Sequence, residues 1–296
     1  MPVATFSYYP GCVATFSSKE LDVSTRRLTD MLDVELVDMP DATCCGAGDI
    51  QEIKPKLYLR LNARILAIAE RDGQESILTI CNVCTLNLRS ANFALRENPE
   101  LLDEVNFDLE KTGYHYSGNV EVTHLLWFLS GEVGSQLLRE RVTGSLNGLK
   151  VAPFYGCQIL RPSNIMGFDD PNKPTSIQRI ITALGGQPVE YANMLNCCGF
   201  PILLAREEMA LREASLPLIN AKAAGADVIV TPCPLCHLAL DAYQVKVNKM
   251  TGRKIDMPVL HFSQLVGLAA GMSVEEMQMG RHMIDPRPAL AAAGHH

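Results

Sequence analysis

Ten cysteines give the clearest chemical signal in this 296-residue chain, because they fall into two sets with the same order. The first set has the pattern C-x31-CC-x35-C-x2-C and consists of Cys12, Cys44, Cys45, Cys81 and Cys84. The second has the pattern C-x39-CC-x34-C-x2-C and consists of Cys157, Cys197, Cys198, Cys233 and Cys236. Thiolates bind soft metal ions and iron–sulfur clusters, so each set predicts a metal site.

The segments around the cysteines repeat as well. "FSYYPGC" matches "APFYGC", "CCGAG" matches "CCGFP", and "SILTICNVC" matches "DVIVTPCPLC"; a fourth pair, "VEVTHLL" and "MPVLHFS", aligns His124 with His261. Such an internal repeat predicts two copies of one domain related by a pseudo-two-fold axis. We place the domains at 1–146 and 147–290, joined near the Gly- and Ser-containing segment 143–150, and expect 291–296 to be a disordered tail.

Short apolar runs alternate with helical periodicity in both halves, which predicts the α/β class with parallel sheets. The predicted strands cover 4–9, 34–39, 76–80 and 120–123 in the first half, and 151–155, 188–192 and 227–231 in the second. The longer helix predictions include 125–134 and 202–225. Because every cysteine follows the carboxyl end of a strand or lies close to it, we expect each set of five to converge at one sheet edge.

Composition narrows the chemistry that these thiols can perform. The chain has 26 Lys and Arg against 33 Asp and Glu, so it lacks the basic balance of a nucleic-acid-binding protein. Its start does not read as a signal peptide, and charges or Gly/Pro interrupt every apolar stretch before ~18 residues, so no membrane span and a cytoplasmic location are predicted. In a reducing compartment spaced cysteines indicate metal or redox sites more often than disulfides.

Four other roles for the cysteines explain the pattern less well. Inert buried thiols do not account for two matched sets, and a disulfide framework leaves one cysteine of each five unpaired. A thioredoxin-like C-x2-C uses only two of the five. Structural zinc is saturated by four thiolates and stays open as an alternative. Five thiolates favour an iron–sulfur cluster whose irons are not all equivalent.

The two complete motifs resemble the cysteine-rich CCG domains in the B subunit of heterodisulfide reductase, and the resemblance covers essentially the whole chain. It extends to "PFYGCQILRP" and "AGADVIVTPCPLCHLALD", while the x34 spacing is about one residue short of the family pattern. The resemblance implies two non-cubane [4Fe–4S] clusters, one held by each set of five cysteines. A disulfide substrate would lie between the two clusters and take up two electrons there.

The resemblance also implies partners, because the chain has neither a strand followed by G-x-G-x-x-G nor a ferredoxin-type cysteine run to receive electrons. These are an iron–sulfur protein of the C-subunit type and a flavoprotein of the A-subunit type. The substrate is a thiol or disulfide, with carrier-bound sulfur on a lipoyl protein as one form. Two alternatives stay open: a CCG electron-transfer subunit of a succinate- or glycolate-type respiratory dehydrogenase, and a zinc-stabilised interaction module.

Four further residues are weighed as neighbours of these sites. His124 and His261 are either helix-start histidines bonded to the backbone or groups that bond to a cluster and deliver protons. His237, beside Cys236, either tunes its cluster or lies on a helix surface. Arg161 either binds an anionic part of the substrate or forms a structural salt bridge.

Overall fold

Two four-stranded sheets, each with all its strands parallel, organise the computed structural model, which describes residues 2–295. The first sheet has the order β2-β1-β3-β4 and contains β1 (Ala4–Tyr9), β2 (Val34–Asp38), β3 (Ser76–Thr79) and β4 (Glu121–His124). The second has the order β6-β5-β7-β8 and contains β5 (Lys150–Pro153), β6 (Gln187–Pro188), β7 (Val228–Thr231) and β8 (Val259–His261). The prediction of duplicated parallel-sheet α/β domains is confirmed.

Helices connect the strands and cover the sheets. Those of the first half are α1 (Lys19–Met31), α2 (Asp49–Ile53), α3 (Pro55–Arg71), α4 (Asn82–Glu97), α5 (Pro99–Glu110), α6 (Leu125–Ser130) and α7 (Glu132–Arg141). Those of the second half are α8 (Ser163–Met166), α9 (Ser176–Ala183), α10 (Glu207–Ala223), α11 (Pro234–Leu240), α12 (Gln244–Thr251), α13 (Phe262–Ala269) and α14 (Arg287–Ala292). A turn of π-helix at Val13–Ser17 and 3₁₀ turns at Phe200–Ile202 and Met279–Arg281 complete the described elements.

Apolar periodicity explains why these segments adopt their elements. All four residues of β7 are buried, as expected for an inner strand of a parallel sheet covered on both faces. In α1 the buried Leu21, Thr25 and Leu28 recur at the three- and four-residue spacing of one helix face. Pro55 and Pro234 each begin a helix, where the missing N–H of proline costs no hydrogen bond.

Three element predictions differ from the structure in extent. The strand predicted over 188–192 is wrong for most of its length: β6 covers only Gln187–Pro188 at the edge of the sheet, and one further bond, from the N–H of Val189 to the carbonyl of Val151, follows it. The helix predicted over 125–134 is divided at Gly131, whose extended backbone separates α6 from α7. The helix predicted over 202–225 begins only at Glu207, because a 3₁₀ turn precedes it.

The apolar core is shared between the two halves of the chain. One buried cluster contains Leu28 and Leu126 together with Tyr155 and Phe262, and the other contains Ile77 together with Ile229. In addition, the Oγ atoms of Ser24 and Ser263 lie 2.8 Å apart within this buried contact. The two halves therefore pack as one body, and the domain limits at 146 and 290 stay a prediction.

Helical structure reaches into the C-terminal segment that we expect to be a tail. Helix α14 extends two residues into the segment 291–296 that we expect to be a tail, and Leu290 on this helix is buried. That leucine packs against the core, and the expectation of a disordered tail over 291–296 stays a prediction. Residue 296 itself lies outside the described residues.

Candidate metal centres

The five N-terminal cysteines lie together at the carboxyl edge of the first sheet. Cys12 follows β1, the Cys44–Cys45 pair follows β2, and Cys81 and Cys84 stand at the start of α4 after β3. The Sγ atoms of Cys12 and Cys44 are 3.7 Å apart, and those of Cys45 and Cys84 are 3.8 Å apart. The structure thus brings this set of five cysteines together at one sheet edge, as the sequence predicts.

The five C-terminal cysteines have the equivalent arrangement in the second sheet. They line one small cavity, together with Asn82 and Val83 of the first half; the cysteines are Cys157, Cys197, Cys198, Cys233 and Cys236. Three of them, Cys198, Cys233 and Cys236, are buried. Because residues of the N-terminal C-x2-C segment form part of the wall, the C-terminal centre is built by both halves.

The two centres approach each other on the pseudo-two-fold axis. The Sγ atoms of Cys81 and Cys233, the first cysteines of the two C-x2-C motifs, are 3.9 Å apart and both are buried. Asn82 crosses the same boundary, since its Nδ2 donates a hydrogen bond of 2.9 Å to the carbonyl of Tyr155. The two centres are therefore in direct contact at this pair of sulfurs.

The glycine after each CC pair has a structural reason. Gly46 (φ +75°) and Gly199 (φ +81°) adopt left-handed backbone conformations. Each donates its N–H to the sulfur two residues earlier, Cys44 or Cys197, at 3.4 Å in both halves. The left-handed turn thus directs a backbone donor at the first cysteine of the pair, which explains the repeated CCG sequence.

A second pair of glycines lets the backbone approach the C-x2-C thiols. A Cβ at Gly11 would lie 2.7 Å from the Sγ of Cys84, and a Cβ at Gly156 would lie 3.1 Å from the Sγ of Cys236. Both glycines also have positive φ angles. Residues 11 and 156 therefore form part of a cradle that any side chain would fill.

The first cysteine of each CC pair has a lowered pKa. Hydrogen bonds from the thiols of Cys12 and Cys45, with the N–H of Gly46, lower the pKa of Cys44 to about 2 against the cost of burial. The equivalent bonds from Cys157 and Cys198, with the N–H of Gly199, lower the pKa of Cys197 to about 2.

The cysteine that bonds to this thiol from the first strand of each half is a poor acid. The pKa of Cys12 is raised, first by its hydrogen bond to Cys44 and then by burial. The pKa of Cys157 is raised in the same way, first by its hydrogen bond to Cys197. Five thiolates can coexist at such a site only when a strong positive charge compensates them, as a metal centre does.

The donor set fits a polynuclear iron–sulfur group better than a single ion. Each site offers five sulfur donors, one more than the tetrahedron of a zinc ion takes. A cluster of several irons is wider than one ion and takes ligands spread around it, whereas zinc draws four ligands into one tetrahedron. An iron–sulfur cluster at each site fits three observations. All the donors are sulfur atoms, Gly11 and Gly156 leave space beside the thiols, and the negative charge of five thiolates needs a positive metal centre to balance it.

The sequence analysis missed a hydrogen-bond donor to the N-terminal thiols. Asn87, one turn beyond Cys84 on α4, is buried and donates from Nδ2 to the Sγ of Cys45 at 3.3 Å. The equivalent position in α11 is Ala239, which has no such group. A polar residue three positions after the last cysteine, on the face that buries Leu88 and Ala91, is the signal that would have found it.

The two paired histidines are helix N-caps. Nδ1 of His124 accepts the N–H of Leu126 at 3.0 Å and begins α6. Nδ1 of His261 accepts the N–H of Ser263 at 3.3 Å and begins α13. Burial lowers the pKa of His124 to about 3 and that of His261 to about 4, so both rings are neutral. This arrangement is the helix-start alternative of the two that the sequence left open.

His237 and Arg161 differ from one or both of their sequence interpretations. His237 is only 2% exposed, so its interpretation as a surface helix residue is wrong: its ring packs edge-on against His282, with ring centres 4.7 Å apart. Arg161 is exposed and its Nη2 donates to the carbonyl of Pro171. Among the described side chains, no carboxylate forms an ion pair with Arg161, so the structure does not contain the expected salt bridge.

Within residues 2–295, no helix has both the length and the apolar character needed to cross a bilayer.

Comparisons with known proteins agree with the duplicated architecture. A family model described as "CCG: Cysteine-rich domain" matches residues 6–89 and 151–241, once in each half. In solved structures, a hypothetical protein from Helicobacter pylori shares the fold with a TM-score of 0.78 at 18% identity, over 96% of this chain and 53% of that one.

Two curated relatives match nearly the full length of the chain. The membrane anchor protein of the 8-methylmenaquinol:fumarate reductase of Wolinella succinogenes is 39% identical over 95% of this chain and 97% of its own. The B subunit of the ferredoxin/F(420)H(2)-dependent CoB-CoM heterodisulfide reductase of Methanosarcina acetivorans is 34% identical over 95% of this chain and 94% of its own.

Proposed function

Because the chain belongs to the heterodisulfide reductase B-subunit family of CCG cysteine-rich domain proteins, we propose that its cysteines hold two non-cubane [4Fe–4S] clusters for redox catalysis. Membership of this family makes it an iron–sulfur oxidoreductase component of a larger complex. Cys12, Cys44, Cys45, Cys81 and Cys84 would bind one cluster. Cys157, Cys197, Cys198, Cys233 and Cys236 would bind the other.

The observation that carries this proposal is the pair of five-thiol centres meeting at Cys81 and Cys233, whose sulfurs are 3.9 Å apart. Iron–sulfur clusters supply one-electron transfer, whereas reduction of a disulfide consumes two electrons and two protons and gives two thiols. Two adjacent centres match that stoichiometry. The residues of this chain contribute ligands, the backbone donors of Gly46 and Gly199, and the amide of Asn87.

We propose disulfide–thiol interconversion as the reaction, with a small disulfide or carrier-bound sulfur on a lipoyl protein as substrate. Electrons would come from, or go to, an iron–sulfur protein of the C-subunit type and a flavoprotein of the A-subunit type. The family relative from Methanosarcina acetivorans, named for its action on the CoB–CoM heterodisulfide, supports a sulfur substrate. A cytoplasmic location agrees with this proposal.

A second candidate is electron transfer in a respiratory reductase or dehydrogenase. The specific observation in its favour is the 39% identity, over 95% of this chain, to the membrane anchor protein of an 8-methylmenaquinol:fumarate reductase. In that role the two clusters would relay electrons between a quinol and a flavoprotein, with no disulfide substrate. The same ligands serve both functions, so the fold does not choose between them.

Metal content of anaerobically purified protein tests the shared part of both functions. We expect about four irons and four sulfides per centre, about eight of each per chain, with little zinc. The Cys45→Ala and Cys198→Ala variants should each keep about half of the iron, because each removes a ligand of only one centre. One zinc per half and no sulfide would overturn the cluster proposal and support the zinc-stabilised module.

Activity of the intact complex separates the two candidates. With a reduced viologen dye as donor, we expect dye oxidation that depends on added disulfide, tested with small disulfides and with a lipoyl carrier protein. Both single-centre variants should lose this activity while an untouched partner flavoprotein keeps its own dye reduction. Quinol-dependent fumarate reduction without any disulfide response would favour the respiratory role instead.

A further inference from the structure

His124 of the first half contacts the residue that precedes the C-x2-C motif of the second half. It is fully buried at the end of β4, and its Nδ1 accepts the N–H of Leu126. A neutral imidazole that accepts at Nδ1 carries its proton on Nε2. Nε2 lies 3.1 Å from the carbonyl oxygen of Pro232, so it donates to the residue that immediately precedes Cys233 in the other half.

His261 makes the reciprocal contact. It is fully buried at the end of β8, and its Nδ1 accepts from the backbone N–H of Ser263, with the hydroxyl of Ser263 at 2.9 Å. Its Nε2 lies 3.2 Å from the carbonyl oxygen of Ile80, which immediately precedes Cys81. The two histidines occupy equivalent positions in the repeat, so the contact is duplicated by the pseudo-two-fold.

The two hydrogen bonds run in opposite directions across the interface. The carbonyls of Ile80 and Pro232 lie near both rings, but hydrogen-bond geometry is met only between a histidine of one half and a carbonyl of the other. Each carbonyl is joined by its peptide bond to one of the two cysteines in the sulfur contact: Ile80 to Cys81, and Pro232 to Cys233. A buried carbonyl that loses its donor is costly, so the peptide before each motif is held by the opposite half.

We propose that His124 and His261 are positioning residues that act crosswise: each fixes the C-x2-C segment, and hence the metal centre, of the opposite half. This inference rests on the proposed clusters. It assigns to His124 the Cys233–Cys236 segment and to His261 the Cys81–Cys84 segment. Loading of each centre would then depend on a side chain that lies in the other domain.

Two substitutions separate the crosswise bond from the helix cap. Asparagine at 124 places its amide oxygen near the position of Nδ1 and is a strong N-cap, but it is too short to reach Pro232. Glutamine extends its amide to the position of Nε2 and keeps the donor to Pro232, while it gives up the cap. We expect His124→Asn to weaken the C-terminal centre and His124→Gln to preserve it; His261→Asn and His261→Gln behave likewise at the N-terminal centre.

Single-centre backgrounds give the readout. Cys45→Ala leaves the C-terminal centre to be measured alone, and Cys198→Ala leaves the N-terminal centre. We expect H124N to lower the iron content at least twofold in the Cys45→Ala background and to leave the Cys198→Ala background unchanged. H261N should do the opposite, and the electron paramagnetic resonance signal of the affected centre should fall with its iron.

Thiol labelling provides a measurement that does not need a bound cluster. In the full-length protein with its metal removed, H124N should raise the alkylation rate of Cys233 by iodoacetamide at least fivefold over that of Cys81, as read by mass spectrometry. H261N should raise that of Cys81 over Cys233. A substitution that merely unfolds the chain would raise both rates together.

The outcomes distinguish the two levels of the argument. Three outcomes would overturn the crosswise role: each histidine variant affects the centre of its own half, each affects both centres equally, or the glutamine variants lose iron while the asparagine variants keep it. If neither single-centre background contains iron and sulfide although the histidines are intact, the cluster proposal fails. The labelling rates then still decide whether the histidines position the two loops crosswise.

Discussion

The two C-x2-C helices, α4 and α11, have the same place in their halves but different surroundings. Both begin at the first residue after a buried cysteine, and in both the residue after the second cysteine bonds back to the carbonyl of the first at 2.9 Å. Three neighbours then differ between α4 and α11: Asn82 corresponds to Pro234, Thr85 to His237, and Asn87 to Ala239. The ligands are repeated, whereas the groups that surround them are not.

This difference gives the two centres unequal electrostatics. In the N-terminal centre Asn87 donates to the Sγ of Cys45. Burial raises the pKa of Cys233, but hydrogen bonds from Cys236, Cys81 and the N–H of Asn82 outweigh it and hold that pKa well below its usual range. Pro234 has no N–H to offer Cys81 in return. Hydrogen bonds to sulfur tune cluster potentials, so we expect two clusters with the same ligands and different potentials.

The largest difference that we predict concerns the glycines of the two CCG motifs. A Cβ at Gly199 would lie 2.4 Å from the carbonyl oxygen of Ala210, whereas at Gly46 the nearest atom is the flexible Cδ1 of Leu61 at 3.3 Å. Both changes to alanine incur left-handed strain of ~1–3 kcal/mol, and Gly199→Ala adds a backbone clash of ~1–3 kcal/mol. Anaerobic urea unfolding should therefore rank G199A well below G46A; equal midpoints would contradict the difference.

The next prediction uses the histidine pair that only the C-terminal half contains. Burial first, and then repulsion from His237, lower the pKa of His282 to about 3. Below the unfolded value of ~6.5 the unfolded chain binds a proton that the folded chain does not, so stability is complete above that pH and falls as the pH decreases toward 3. His282→Leu should reduce the stability lost between pH 7 and pH 5 by about 2 kcal/mol, measured by urea unfolding at both values. An unchanged pH dependence would show that His282 is protonated in the folded protein.

A smaller effect tests the unequal potentials. Asn87→Ala removes the amide that stabilises extra negative charge on Cys45, so the reduction potential of the N-terminal centre should fall by about 60 mV, a tenfold change for one electron. The measurement is a redox titration in the Cys198→Ala background. The matched control is Asn92→Ala on the same helix, because the Asn92 amide bonds to Val120 and not to a cysteine. A shift of the same size in the control would contradict a specific effect of the Asn87 hydrogen bond on the potential.

The last prediction exchanges one residue between the two motifs. Asn82→Pro copies Pro234 into the first half, and the first position of α4 accepts proline. The substitution removes the bond from Asn82 to the Tyr155 carbonyl and the N–H beside Cys233, at a cost of about 1–2 kcal/mol in unfolding free energy. Asn82→Ala keeps the N–H and should cost only about 1 kcal/mol. Identical values for the two variants would mean that the N–H at residue 82 contributes nothing.

Much of the fold was accessible from the sequence because its signals are local. The run "VIVT" is β-branched throughout and apolar in its first three residues, so β7 was predictable as a buried strand, and Ala4–Tyr9 forms the strand that its sequence predicts. The short extent of β6 was not, because "PVEYA" has strand propensity, whereas β6 lies at the sheet edge and has only β5 as a neighbour. His237 was judged by its place on a helix, whereas its ring packs against His282, which is distant in sequence.

The sequence by itself determined the duplication, the two sets of five cysteines and their place after the strands, because repeats, residue types and hydrophobic periodicity are all written along the chain. Only the tertiary structure decided how the two halves meet. The 3.9 Å contact of Cys81 with Cys233 and the crosswise bonds of His124 and His261 join residues more than a hundred positions apart. Such contacts depend on how two buried surfaces pack, and no local pattern records that packing.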